Sequence, residues 1–393
     1  MHLLLQYSDG LITMSTTEAK HLKFPALAPF VKHNAVLLIA FTAALVSAFL
    51  VPPDTQYAGY FDVKTLCCLF GTLAVVCALK NISFFSIIAA RIIHLTGSSR
   101  WAALTLIYIT FIGSMLIAND MALITFLPLG YHVFSASERK WETATVFILQ
   151  NIAANLGGML TPFGNPQNLY LYSRFAIPTG EFMRIMAPPF VVSVILVSLC
   201  CLLIPRHSLR VSVREDKNRL PRLRTAAYLL LFSLTILMVF RVIKPLIALS
   251  AVVLGLMLLD RRALKQVDYG LLLTFVFFFI FAGNMGRLAP VREFFRALLD
   301  KNTLLTAVTS CQLISNVPTA ILLSGFTANY PSLLTGVNIG GAGTLIASLA
   351  SLITFREFTG RYKNSAGGYL LRFSAFNFGF LAILTYFCLC IGR

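Results

Sequence analysis

The sequence predicts an all-α, polytopic membrane protein built from two related halves. Three observations predict it: a composition suited to lipid, apolar runs that recur at spanning length, and polar interruptions that appear twice in the same order. Of 393 residues, 58% are hydrophobic and 12% charged. Runs near the roughly 20 residues needed to cross a bilayer core recur from Asn34 onward, which leaves no room for a large soluble domain.

Candidate spans are 34–51, 63–79, 143–156, 183–204, 225–242, 246–259, 270–284, 343–355 and 369–391. Two further apolar stretches, 101–134 and 303–326, are broken in the middle by polar residues and read as re-entrant helical hairpins. The domain plan is a cytoplasmic tail 1–33, a first membrane repeat 34–204, a basic linker 205–224 and a second membrane repeat 225–393. The tail lacks the basic start and small-residue cleavage site of a signal peptide, and Met14 is an alternative start.

The formal net charge of +17 would suggest nucleic acid in a soluble chain. Here the Lys and Arg lie in short loops between apolar runs, the pattern of positive-inside topology, so lipid is the expected partner and no nucleic acid is expected. Loops 52–62 and 329–338 contain neither Lys nor Arg and are assigned to the outside, with the N-terminus inside and the C-terminus outside. The segment 287–301, with four basic residues, departs from the rule and reads as an interfacial amphipathic helix. The six histidines make no metal-ligand spacing and the eight cysteines lie in apolar segments. With no Gly-x-Ser-x-Gly or His-Glu-x-x-His run, and with His94 and His132 lacking carboxylate partners, neither a resident metal nor an enzyme is expected.

Comparison of the halves carries the functional signal. Ile117-Ala118-Asn119-Asp120-Met121-Ala122 interrupts the first hairpin and Ile314-Ser315-Asn316-Val317-Pro318-Thr319 the second. Further on, Asn155-Leu156-Gly157-Gly158-Met159-Leu160-Thr161 matches Asn338-Ile339-Gly340-Gly341-Ala342-Gly343-Thr344 in Asn, Gly, Gly and Thr at identical spacing. Gly, Pro and Asn inside a membrane segment free backbone groups that lipid cannot satisfy, so paired breaks must line a cavity.

The richest break runs from Thr161 through Gly164, Asn165, Gln167 and Asn168 to Tyr170, with Pro162 and Pro166 preventing a regular helix. Its neutral donors and acceptors suit an oxyanion held without a buried Lys or Arg. The second-half counterpart keeps hydroxyls at Thr344, Ser348 and Ser351 but has no Pro or Asn. Asp120 is the one carboxylate in a predicted intramembrane break, opposite Val317. It is either a carrier of H⁺ or ligand of Na⁺, or a cap on free N–H groups at the tip. The expected substrate-binding residues are Asn119, Thr161, Gly164, Asn165, Gln167, Asn168, Ser315, Asn316, Thr319, Thr344 and Ser348. Asp120, Asn119, Asn155, Asn316 and Asn338 are expected to serve the coupling ion. Gln150, Asn151, Gln312 and Asn377, isolated in apolar runs, are expected to make interhelical hydrogen bonds.

At these motifs the chain resembles the ion transporter superfamily of arsenite permeases, citrate and dicarboxylate carriers and sodium/proton antiporters. Ala118-Asn119-Asp120 is closest to the arsenite-permease branch with its citrate-transporter domain, and Ser315-Asn316 to the hairpin tips of dicarboxylate carriers. The resemblance implies two inverted repeats, each with a re-entrant hairpin and a broken helix, elevator-like movement and a homodimer. It implies no cofactor beyond a bound Na⁺, and it implies a small anionic solute, an inorganic oxyanion such as arsenite or a carboxylate such as citrate, coupled to H⁺ or Na⁺ across a bacterial plasma membrane. The alternative it carries is a Na⁺/H⁺ antiporter with Asp120 as proton carrier.

Overall fold

In a computed structural model the described residues are 34–93, 96–134, 140–207 and 220–392. The tail 1–33 with Met14, His94, and most of the linker 205–224 lie outside them. The first half contributes α1 (Ala35–Leu50), α2 (Val63–Asn81), α3 (Phe84–Ile93), α4 (Ser99–Ile117), α5 (Asn119–Phe134), α6 (Lys140–Gly157), α7 (Pro166–Arg174) and α8 (Thr179–Leu202). The second contributes α9 (Arg222–Val239), α10 (Pro245–Leu259), the short α11 (Arg261–Lys265) and α12 (Tyr269–Arg287). It continues with α13 (Ala289–Ile314), α14 (Asn316–Leu323), α15 (Tyr330–Ile339), α16 (Leu349–Arg361) and α17 (Ala366–Cys390).

Local chemistry sets many of these boundaries. Asp62 accepts from the Thr65 N–H at 3.0 Å to start α2, and Asp268 accepts from Leu271 N–H at 2.9 Å to start α12. Pro166, Pro245 and Pro331 stand in the first turns of α7, α10 and α15, where the missing N–H costs nothing. Ser348 caps α16 by accepting from Ala350 N–H at 3.2 Å.

Among the described residues seven helices are long and apolar enough to cross a membrane. Their burial separates two roles. In the window within 140–160, 89% of the residues are buried, whereas in α9 and α12 only 28% are. Packing follows the same division: α1 lies along α12, and α2 packs on α9, α10 and α12, so the opening helices of the two halves interleave. The hairpins and breaks form a second body, in which α4, α5 and α6 pack together, α16 lies on α5 and α6, and α14 and α15 lie on α7.

Several expectations are corrected. The span placed at 343–355 is not helical until Leu349, because Gly340–Gly343 and the residues up to Ser348 form the break itself. The stretch 329–338, read as an outer loop, forms the buried helix α15, whose lack of charge reflects burial rather than topology. Asn377 donates to Phe373 O at 2.9 Å within its own helix instead of bridging helices. The basic segment after Arg287 is helical from Ala289 and bends at Asn302, where φ is −163° and ψ 101°. Arg287 is not a free charge there. It pairs with Asp54 at 2.7 Å, and the guanidinium hydrogen bond holds the Asp54 carboxyl below the usual carboxylate range.

Candidate functional site

Each hairpin turns on one residue with a side chain in a region that favours glycine. Ala118 has φ 65° and ψ 149°, and Ser315 has φ 75° and ψ 160°. The following asparagine then folds back in the same way at both tips: Asn119 Oδ1 accepts from Asp120 N–H at 3.0 Å and Asn316 Oδ1 from Val317 N–H at 2.9 Å. Each tip is tied to the break that faces it. Asn119 N–H donates to Gly164 O at 3.1 Å, and Asn316 N–H to Ala347 O at 3.0 Å. A second tie repeats behind the first: the Thr161 hydroxyl donates to Met115 O at 2.7 Å and the Thr344 hydroxyl to Gln312 O at 3.1 Å. The motif matching seen in sequence is therefore matched bond for bond in the backbone.

The two broken helices run antiparallel. Tyr362, just past α16, lies 3.4 Å from Thr143 in the first turn of α6, while Phe175, just past α7, has its ring 5.5 Å from that of Tyr330 at the start of α15. Where they cross, side chains from both halves form one hydrogen-bonded cluster. Asn155 Oδ1 accepts from Asn119 Nδ2 at 3.0 Å and from Ser348 Oγ at 2.8 Å. Asn165 Nδ2 donates to Asn155 O at 3.1 Å and to Asn338 Oδ1 at 3.2 Å, and Asn338 Nδ2 donates to Asn168 Oδ1 at 2.6 Å. Ser348 thus reaches from the second half to Asn155, and Asn165 from the first half to Asn338, a reciprocal pair of crossings.

Close backbone approach explains the glycines. A Cβ on Gly164 would be driven into Gly158 O and stand 2.8 Å from Gly158 Cα, so the loop closes only without one. At Gly341 a Cβ would lie 3.1 Å from Asn316 Nδ2 and 3.8 Å from Asn155 Oδ1, which places Asn316 beside the cluster.

Four helix N-termini converge here: α5 begins at Asn119, α14 at Asn316, α7 behind its cap Asn165 and α16 behind its cap Ser348. Each N-terminus carries roughly half a positive charge, so the site has an anion-favouring field with no Lys or Arg in the cluster. Beside it, a cavity of about 70 Å³ is lined mostly by apolar side chains, with Asp120, Asn165, Thr72 of α2 and Asp268 among them. Several water molecules or one small solute fit such a space. Asp120 Oδ1, Asn155 Nδ2, Asn165 Oδ1 and Gln167 Oε1 are buried without a hydrogen-bond partner among the described residues, as polar atoms awaiting a ligand would be.

Asn119, Asn155, Asn165, Gln167, Asn168, Asn338 and Ser348 come together, with Gln167 Nε2 3.5 Å from Asn338 Oδ1. Gly164 supplies the carbonyl that holds the first tip, and the Ser315 hydroxyl lies 3.3 Å from Ala347 O. The hydroxyls of Thr161, Thr344 and Thr319 are spent on carbonyls, that of Thr319 on Ser315 O at 2.7 Å, and do not face the cluster.

Gln150 bridges α6 to Thr110 of α4 at 3.0 Å, and Asn151 reaches Ser351 at 3.3 Å, both interhelical as expected. Gln312 does more: its amide donates to Gly340 O at 2.8 Å and Ala342 O at 3.2 Å and accepts from Thr344 N–H at 2.9 Å, clasping the second break. Sequence reasoning missed Asp268 and Thr72. They sit far from both breaks in the chain, and the only local signal was an aspartate opening an apolar run.

Comparison with known proteins gives concordant matches. The profile of a family described as citrate transporter matches residues 26–332. The uncharacterized transporter MJ0456 of Methanocaldococcus jannaschii is 31% identical over 309 residues, 78% of this chain and 84% of that protein. The inner membrane protein YbiR of Escherichia coli is 28% identical, covering 79% of this chain and 84% of that protein. A shorter match, 26% identical over 39% of this chain and 30% of the other, is to the silicon efflux transporter LSI3 of Oryza sativa subsp. japonica.

Proposed function

The chain belongs to the citrate transporter family and is a membrane transporter, and on that premise we propose that it carries a small oxyanion or carboxylate by secondary active transport coupled to H⁺ or Na⁺. The observation that carries this reading is the convergence of four helix N-termini from two antiparallel units on a buried cluster of neutral amides. An anion bound there is stabilised by oriented dipoles and released without breaking an ion pair to a fixed cation. Inverted repeats account for the antiparallel breaks. The body made of α4–α8 and α13–α17 is then the part that would move, elevator-like, against the layer of α1, α2 and α9–α12, with a homodimer in a bacterial plasma membrane as its setting.

Asp120 supports the coupling role. Its Oδ1 is buried and unpartnered, and it shares the small cavity with Asp268, so H⁺ or Na⁺ is the natural companion of the anion at that point. The same observation favours one second reading, a Na⁺/H⁺ antiporter with Asp120 as proton carrier. Purified protein in liposomes, under imposed H⁺ or Na⁺ gradients, is to be offered arsenite, silicate, citrate, succinate, sulfate and phosphate. Uptake of at least one is expected; movement of none of them, with Na⁺ exchanged for H⁺ instead, would establish the second reading.

A further inference from the structure

Two of the four helices that begin at the central cluster, α7 and α14, end at another cavity. The C-terminal residues of α7 (Tyr170, Ser173 and Arg174) and the end of α14 (Ser324 and the adjoining Gly325) line a space of about 590 Å³. The start of α2 with Lys64 and the far end of α12 close its other walls. Its floor toward the cluster includes the Tyr170 hydroxyl, 2.8 Å from Ser324 Oγ. Tyr170 stands five residues past the cap Asn165, a rise of about 7.5 Å along α7.

The charge in this cavity differs in kind from that of the cluster. Lys64 and Arg174 are exposed, and neither pairs with a carboxylate among the described residues. Asp62 also lines the wall, but its oxygens accept from Thr65 N–H at 3.0 Å and Thr65 Oγ1 at 2.7 Å. The neighbouring Arg287 is occupied by Asp54. Lys64 and Arg174 thus stand against the single Asp62 carboxylate, whose neutral Thr65 partners leave its charge in place, and the cavity keeps an excess of positive charge beside a cluster containing no cation.

We propose that this vestibule is a second, low-affinity anion-binding site, in which Arg174 and Lys64 take up the carboxylate or oxyanion group of the solute before it reaches the central cluster. The proposal rests on the anion-transport reading. Exposed cations raise the local anion concentration and the entry rate without trapping the solute, as they would at membrane depth.

The test is independent of transport. Full-length Ser173→Cys protein, and Gly325→Cys on the facing wall as a second reporter, is labelled in lipid-free detergent with anionic and with cationic methanethiosulfonates. Mass spectrometry reads the modification at the introduced site. Expected is an anionic-over-cationic rate ratio about fivefold above that of a free thiol. It should fall to the free-thiol value in a Lys64→Ala/Arg174→Gln background, stay high with Arg174→Lys, and drop as sulfate or citrate protects the site saturably. An unchanged ratio in the charge-removed background, or no protection, would overturn the proposal at both reporters. If liposomes move no anion while the ratio and protection hold, the vestibule stands and the transport reading fails; transport with a flat ratio sinks the vestibule alone.

Discussion

The two breaks share a backbone and differ in most of their side chains. Asn119 and Asn316 are tied to Gly164 O and Ala347 O, and Thr161 and Thr344 to Met115 O and Gln312 O, by the same bonds in the same order. Yet the first break carries Pro162, Gly164, Asn165, Pro166, Gln167 and Asn168, where the second carries Leu345, Ala347, Ser348, Leu349, Ala350 and Ser351. The first is shaped by its own prolines and glycines. The second also has glycines of its own, Gly340, Gly341 and Gly343, but no proline, and is clasped in addition by the Gln312 amide. The geometry a hairpin tip requires is thus separable from the chemistry presented to a ligand.

Substitutions at paired positions can break that equivalence. The largest effect is expected at Gly164, whose counterpart is already Ala347. Gly164→Ala should abolish recovery of folded protein, at a cost of about 4 kcal/mol, because the Cβ would run into the Gly158 backbone and the Thr161 hydroxyl. Gly341→Ala meets Asn316 Nδ2 at 3.1 Å and Asn338 O at 3.2 Å, with no contact under 3.0 Å, and should cost only about 1 kcal/mol, read as thermal unfolding in detergent.

Next comes the charge that only one tip carries. Asp120→Asn should lower uptake driven by a pH gradient at least about tenfold, whereas Val317→Ala should stay within about twofold. Equal losses would mean the carboxylate is merely a structural part of the tip. Gln312→Ala, which removes the clasp on the second break, should destabilise the protein by about 2–3 kcal/mol, and Met115→Ala in the first half by less. The smallest effect should follow from making the halves more alike. Asn165→Ser mimics Ser348, puts a hydroxyl in place of the amide donor at the crossing, and should raise KM about threefold with kcat preserved.

The breaks were legible because Asn, Gly and Pro inside an apolar run are costly, and their repetition at fixed spacing is visible without coordinates. The hairpins at Asn119 and Asn316 follow from the same signal. Helix α15 was not legible: Tyr330–Ile339 is ten residues, capped by Asn329 and free of charge, and such a segment reads as a loop when burial is unknown. Nor was the late start of α16, since Thr344, Leu345, Ile346 and Ala347 suit a helix by composition alone. Within the site, residue type indicates which atoms can bond but not where they point. Thr161, Thr319 and Thr344 have the right hydroxyls and turn them to carbonyls. Asp268 and Thr72 reach the cavity only because the layer of α2 and α12 packs against the first tip.

Ala118 and Ser315 carry a consequence of their own. Both hold positive φ that residues with side chains avoid, at about 1–3 kcal/mol each, and in each case the next N–H is hooked to a single carbonyl across the gap. If either hook lets go, its turn can unwind toward an ordinary conformation and return that tension to the opening. Each tip therefore keeps its costly turn only for as long as that one hydrogen bond holds it there.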